Sequence, residues 1–289
     1  MNELQHPPRA LIAGCGDIGL RVARRLRAAG GEVTAILRDP QKRAPLDAIG
    51  AAVRIDDLDR PTDAGDWPWL FWFAPPPPEG EIDARLRGWL AAQRGRIGRV
   101  VYISTSAVYG DCDGRWIDED EPLKPQSARG RRRLDAEKVL ANWCRATGAQ
   151  HVILRVPGIY GPGRWPLQRL SAGLPVLRAE DAPYSNRVHA DDLAAAAVLA
   201  AARGVDGHAY NIADGEPTTM TDYFTQVARR FGLPEPPVVD RAEARRVFTP
   251  AMWSFMEESK RLRIERARTE LGFAPRYPNL AAGLAAADG

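Results

Sequence analysis

The chain has 289 residues, 45% hydrophobic and 27% charged, with a net charge of +3. That balance suits a globular protein with a sizeable core and gives no electrostatic case for a nucleic-acid partner. Three widely spaced cysteines with no CxxC pair suggest neither a disulfide framework nor a zinc knuckle. A polar N-terminus and the lack of any apolar run of about 20 residues predict a cytoplasmic protein outside the membrane.

In chain order, Ala10 to Ala13 reads as a short apolar strand followed by a glycine turn. Ile18, Val22 and Leu26 then recur at helical spacing, Gly30-Gly31 ends that helix, and Val33 to Leu37 reads as the next strand. This is a βαβ unit, which predicts a parallel sheet with a right-handed crossover. "AAVRIDDL", "WLFWFAPPPP", "RVVYISTS", "HVILRVPGIYGPG" and "AYNIAD" continue the strands. "IDARLRGWLAAQRG", "RRRLDAEKVLANWCRATG" and "ADDLAAAAVLAAARG" supply helices between them. The fold class is therefore α/β: a doubly wound parallel Rossmann sheet with a smaller C-terminal substrate lobe. The expected division is a Rossmann domain of residues 1–159 and 189–215, and a substrate lobe of 160–188 and 216–289. Within that lobe the pattern predicts helices around Met220 to Phe231, Ala251 to Met256 and Ser259 to Leu271.

Gly14-x-Gly16-x-x-Gly19 follows a strand and opens a helix, the setting in which a G-x-G-x-x-G loop holds a dinucleotide. Gly14 permits the tight turn, Gly16 lets the backbone approach a pyrophosphate, and Gly19 lets helix and strand pack closely. Asp17 and Ile18 form the helix start that faces the anion. The second strand ends in "AILRDP", which places Arg38 about twenty residues after the loop, where a 2′-phosphate would be read. The charge argument favours NADP, with NAD less favoured; Asp39, next in line, could serve a ribose hydroxyl instead.

Several stretches then resemble the extended short-chain dehydrogenase/reductase family of NAD-dependent epimerases and dehydratases: "GCGDIG", "RIDDL", "YISTSAVYGD", "LRVPGIYGPG" and "RVHADDLA". The resemblance spans nearly the whole chain. It implies a Rossmann lobe for NAD(P) and a small lobe for a small-molecule substrate, often a nucleotide sugar. It also implies Asp57 and Leu58 near the adenine, and Ala74 and Pro75 flanking the cofactor. Thr105 would orient the substrate oxygen, and Pro157, Gly158 and Ile159 would approach the nicotinamide. A homodimer through helices near Ile82 to Gln93 and Arg131 to Arg145 is a further implication. The "APPPP" segment departs from the family's usual Asn, Ala and Gly after the fourth strand.

A larger departure concerns the family's P-x-x-x-Y-G-x-x-K-x-x-x-E pattern. Pro125, Gly130 and Glu137 align with it, but Arg129 stands at the tyrosine position and Arg133 at the lysine position. No Tyr-x-x-x-Lys occurs anywhere in the chain. Arginine, with a pKa above about 12, cannot act as the acid or base. It can bind an anion bidentately or polarise a carbonyl. The two arginines are i,i+4 neighbours, so they share a helix face and are expected to face the cleft as anion binders; a solvated basic surface beside Arg131 and Arg132 is the alternative.

Tyr109 and Tyr160, in loops beside the expected cleft, are candidates for a displaced acid, with core packing as the plainer reading. The Asp191–Asp192 pair after His189 reads as a helix cap rather than a metal site. His6, His151 and His208 are isolated, and no G-x-S-x-G elbow occurs. Trp67, Trp69, Trp72, Trp165, Trp253 and Phe255 could line an apolar pocket or pack the core. Two functions fit: an NADP(H)-dependent reductase with a remodelled active site, or a catalytically silent NADP-binding regulatory or scaffold protein.

Overall fold

The computed structural model describes residues 7–287; His6 and the two chain ends lie outside the described residues. Seven strands form one sheet: β1 (Ala10–Ala13), β2 (Val33–Leu37), β3 (Ala52–Ile55), β4 (Trp67–Trp72), β5 (Ile97–Thr105), β6 (Gln150–Val156) and β7 (Ala209–Asn211). Their order is β3-β2-β1-β4-β5-β6-β7, and every neighbouring pair is parallel. The chain reverses its direction of strand addition between β1 and β4, which opens a crevice at their carboxyl ends.

All four residues of β1 are buried, as a central parallel strand covered on both faces must be. Ala10 and Ile12 join a core under helices α1 (Asp17–Ala28) and α4 (Ala190–Arg203). Leu11 and Ala13 alternate into a second core under α2 (Ala84–Ala92) and α3 (Ala128–Thr147). The Ala-rich face of α4 explains its close approach to the sheet, since its alanines are nearly all buried. Trp72 and Trp89 meet in the second core with ring centroids 5.0 Å apart. Trp72 is therefore a core residue, and Trp69 and Trp67 pack partly against the two cores.

The remaining chain packs two smaller clusters. One joins Tyr160, Leu170 and Val176 to Tyr223, Phe224 and Val227 of α5 (Met220–Arg230), and to Leu280 and Leu284. The other gathers Leu177, Ala244, Phe248 and Met256. The helix expected near Ala251 runs from Pro250–Met256. Ser259 to Leu271 is not one helix. Arg261–Leu262 is extended and pairs in parallel with Trp116–Ile117, and helical turns begin only at Glu265, with Ala267–Leu271 in the wider π form. The apolar spacing there is met by Leu262 and Ile264 packing on the main core, a tertiary demand that overrides the local pattern. Helices Arg241–Val247 and Leu280–Ala285 complete this part. Among the described residues no helix is long and apolar enough to cross a membrane, and no group of acids, histidines or cysteines could hold a metal.

Candidate active site

The glycine loop lies at the carboxyl end of β1, and each glycine has a separate geometric reason. Gly14 has φ +79°, and a Cβ there would sit 2.4 Å from the backbone nitrogen of Ala74 after β4. Only glycine lets those two strand ends meet. At Gly16 a Cβ would meet nothing within 4 Å, so the backbone faces open space at the start of α1. A Cβ at Gly19 would lie 3.0 Å from Cys15 Sγ and 3.1 Å from Ile12, where the helix crosses its strand. Ile18 is buried beneath this turn. An open, glycine-flanked helix N-terminus fits a pyrophosphate.

The other expected cofactor residues line up along the same sheet edge. Arg38 follows β2 and is exposed. Asp57 and Leu58 follow β3; the Asp57 carboxylate accepts from the Asp59 backbone N–H at 3.0 Å. Ala74 is buried beside Gly14, and Pro75 is exposed, its carbonyl accepting from Arg85 at 2.5 Å. Arg85 also clasps Asp59 at 2.7 and 2.8 Å, and this hydrogen bonding holds the Asp59 carboxyl below its usual range. Asp17 forms ion pairs with Arg21 at 2.9 Å and with Arg164 at 2.7 Å, linking the loop to the far wall of the cleft.

Three cavities open beside this edge. One of about 310 Å³ is bounded by Pro75, Thr105, Arg129, Arg133, Pro157 and Ile159. A larger one of about 510 Å³ runs from Thr105, Arg129 and Pro157 to Ile159 across to Tyr223, Phe224, Met252, Phe255 and Lys260. A third, of about 400 Å³, lies between Gln126 to Arg129 and Ser254, Glu257 and Glu258. Thr105 ends β5, and its hydroxyl accepts from Ala107 N–H at 3.3 Å as it starts a short helical turn. Gly130 lets α3 enter closely: a Cβ there would lie 2.6 Å from the Ala107 carbonyl.

Arg129 borders all three cavities. Its guanidinium lies 4.0 Å from the Phe255 ring centre, and desolvation lowers its pKa. Arg133 is anchored, donating to the Ile103 carbonyl at 2.7 Å and to the Tyr102 hydroxyl at 3.1 Å. The intervening arginines reach toward the Gly80–Glu81 bend. Arg131 pairs with Glu81 at 2.8 Å, and Arg132 donates to the Gly80 carbonyl at 2.7 Å. Arg132 nonetheless borders the smaller cavity beside Arg129 and Arg133, and Arg131 alone of the four borders none of the three cavities.

The structure takes Tyr109 away from the cavities. It is buried, donates to Asn211 at 2.8 Å and accepts from Arg155 at 3.0 Å. Burial raises its pKa, so it is a structural phenol rather than a displaced acid. Tyr160 is likewise buried and donates to the Asn279 carbonyl at 3.2 Å. The Asp191–Asp192 pair does not cap α4. His189 does so, its Nδ1 accepting from Asp191 N–H at 3.2 Å. Asp191 pairs with Arg21 at 2.5 Å, and Asp192 accepts from the backbone N–H groups of Arg276 and Tyr277 at 2.9 and 3.0 Å. Neither Trp165 nor Trp253 borders a described cavity, whereas Phe255 does.

Residues that the pattern did not single out complete the large cavity. Lys260 is buried and paired with Glu258 at 2.8 Å, both side chains less than a tenth exposed. Arg169 stacks 4.8 Å from the Phe224 ring centre. Arg187 stacks on Tyr223 at 3.6 Å. Arg187 opens the short "RVH" segment, which pairs with Gly158–Tyr160, and no local pattern marked it.

Known proteins place this geometry in a family. Residues 81–213 match the model of the NAD dependent epimerase/dehydratase family. Protein YeeZ of Escherichia coli (strain K12) is 30% identical, over 94% of this chain and 97% of its own. The 3-diazoavenalumate denitrifying reductase of a Streptomyces species is 28% identical, over 96% of this chain and 99% of its own. The structure of a functionally unknown conserved protein from Silicibacter pomeroyi DSS superposes with a TM-score of 0.79 at 33% identity, covering 96% of this chain and 97% of that one. With the glycine loop at the switch point of a seven-stranded parallel sheet and full-length similarity of this kind, the chain belongs to the NAD-dependent epimerase/dehydratase family.

Proposed function

We propose that this protein is an NADP(H)-dependent reductase whose remodelled site works without a proton-transferring tyrosine. The observation that carries the reading is Arg129. It stands at the family's tyrosine position, half-buried, beside Thr105 and the Pro157 to Ile159 segment. A reductase among the full-length relatives supports it. The division into a cofactor part, residues 1–159 and 189–215, and a substrate part, 160–188 and 216–289, fits the same reading in that the second part builds two apolar clusters of its own, although Leu262, Ile264, Ala267, Leu271 and Phe273 pack on the main core.

Bound NADPH would supply a hydride. The chain's residues do the rest. Gly14, Gly16 and Gly19, with the start of α1, receive the pyrophosphate, and Arg38 meets the 2′-phosphate from the end of β2. Arg133, fixed by the Ile103 carbonyl, presents its remaining donors toward the ribose side of the smaller cavity. Arg129 and the Thr105 hydroxyl orient the acceptor. Charge that develops on the substrate is met by the Arg129 guanidinium, in a site where Phe255 excludes water from one face. Arg129 gives up no proton at neutral pH, so a proton required by the product comes from water rather than from this side chain. Epimerisation at a sugar hydroxyl, which needs a reversible base, is not expected.

The experiment has two stages. Calorimetry with NADPH and NADH should show tighter binding of NADPH, and equal affinity would reject the cofactor assignment. Loss of NADPH absorbance is then followed with a panel of carbonyl and other electrophilic acceptors. Turnover with some member supports the reductase, whereas binding without hydride transfer to any member favours a silent NADP-binding protein. Conversion of UDP-glucose to UDP-galactose would overturn the account of Arg129.

A further inference from the structure

We propose that Arg187 is the anchor for a carboxylate on the substrate, and that the large cavity takes small monocarboxylates with an apolar body. The inference rests on the reading of the site given above and adds the substrate class.

Arg187 opens the strand Arg187–His189, in register with Gly158–Tyr160. Its side chain crosses Gly158 so closely that a Cβ there would sit 2.5 Å from Nη1. The guanidinium therefore lies against the segment expected to wall the nicotinamide. Its face rests on the Tyr223 ring at 3.6 Å. Only 7% of the residue is exposed.

What it lacks is a partner of opposite charge. Nη2 reaches Met220 Sδ at 3.1 Å, a weak acceptor, and Nε is buried with no hydrogen bond at all. No carboxylate among the described residues comes within ion-pair distance. Asp214 is the acid whose charge it feels, but Asp214 Oδ2 is itself buried without a partner, and burial holds that carboxyl up to about 7. A lone buried guanidinium is costly unless something pairs with it. Packing alone would be served by methionine or leucine.

The cavity supplies the setting for a partner. A guanidinium matches a carboxylate in charge, planarity and bidentate spacing. Met220, Phe224, Met252 and Phe255 line the same cavity and would cover an aryl or alkenyl body. A carboxylate seated on Arg187 would hold that body between the small lobe and Pro157 to Ile159, within the span that Arg129 and Thr105 also border.

The test uses the full chain loaded with NADPH, and trans-cinnamate, cinnamamide and inorganic phosphate as probes. Two readouts are taken: the Arg187 Nε–H resonance, assigned through its loss in Arg187→Lys, and the dissociation constant of each probe. Cinnamate is expected to shift the Arg187 resonance and to bind at least about tenfold more tightly than cinnamamide. Arg187→Met should erase that preference. If Arg187→Met fails to fold, the resonance shift in the parent protein decides alone. Equal binding of cinnamate and cinnamamide, a response to phosphate only, or an unmoved resonance would each overturn the proposal. Cofactor binding is read separately from nicotinamide fluorescence. NADPH bound with no carboxylate preference refutes this inference and spares the oxidoreductase reading; the reverse result refutes that reading and spares this one.

Discussion

The polar core behind β6 and the cavity wall in front of it each bury an arginine, Arg155 at 6% exposure and Arg187 at 7%. Arg155 is bonded through all three nitrogens. It meets Glu137 at 3.0 and 3.4 Å, the Tyr109 hydroxyl at 3.0 Å and the Glu119 carbonyl at 3.1 Å. Ser104 donates to the same Glu137, and Glu119 accepts from Asn211 N–H at 2.7 Å. Arg187 has a ring, a sulfur and an unpaired Nε. Equal burial thus has two meanings. A buried charge paired with a carboxylate and bonded through every nitrogen fixes strands and helix to each other; one with no such partner is held ready for something not in the chain.

Mutation can break the comparison. The largest effect is expected for Glu137→Ala, which leaves Arg155 buried and unpaired. Urea unfolding should show a loss of about 3–5 kcal/mol, and a loss below about 1 kcal/mol would mean that the network is not structural. Glu137 is also the one acid of the family pattern that this chain keeps, which suggests that the pattern's last position serves the core rather than the chemistry.

Asp214 supplies the second test. Its folded pKa, about 7, lies above the ordinary carboxyl value. A raised value means that its contribution to stability is complete below about pH 4 and is lost as pH climbs through 7. The slope in that window is at most about 1.4 kcal/mol per pH unit. Asp214→Asn should lack this fall, so its stability relative to the parent should rise between pH 4 and 7. Parallel pH profiles for the two proteins would show that the carboxyl titrates normally.

The third expectation moves to the cofactor side. Arg38→Ala should weaken NADPH about tenfold, the loss of one charge-assisted phosphate contact, and leave NADH nearly unchanged. Calorimetry on the two cofactors checks it, and an equal loss for both would assign Arg38 to the fold or to general charge. The smallest effect sharpens the opening contrast. Arg187→Met should change unfolding stability by no more than about 1 kcal/mol, or raise it, because a lone buried guanidinium contributes little to folding. A loss as large as that of Glu137→Ala would make Arg187 a second structural arginine.

The sequence by itself determined the sheet, the glycine loop and the existence of the seven strands, with the bounds of the first two. These rest on local rules, namely apolar runs, glycine turns and helix periodicity. They also put Thr105 and Pro157 to Ile159 at strand ends on one edge, because in a parallel sheet all carboxyl ends face the same way, whereas Arg129 and Arg133 were placed there only by the family resemblance. The i,i+4 rule put Arg129 and Arg133 on one helix face, although it could not say that Arg132 borders the smaller cavity too, or that Arg133 spends donors on Ile103 while Arg129 stacks on Phe255. Only the tertiary structure decided which polar groups are satisfied. Tyr109 looked available in its loop until Asn211 and Arg155, 102 and 46 residues away in sequence, took its hydroxyl. The stretch Ser259 to Leu271 looked helical until Trp116–Ile117 drew Arg261–Leu262 into an extended pair. Arg187, Lys260 and Glu258 reach one cavity from segments about 70 residues apart in sequence. Whether a buried charge finds a partner depends on contacts between distant segments, and no local pattern carries that information.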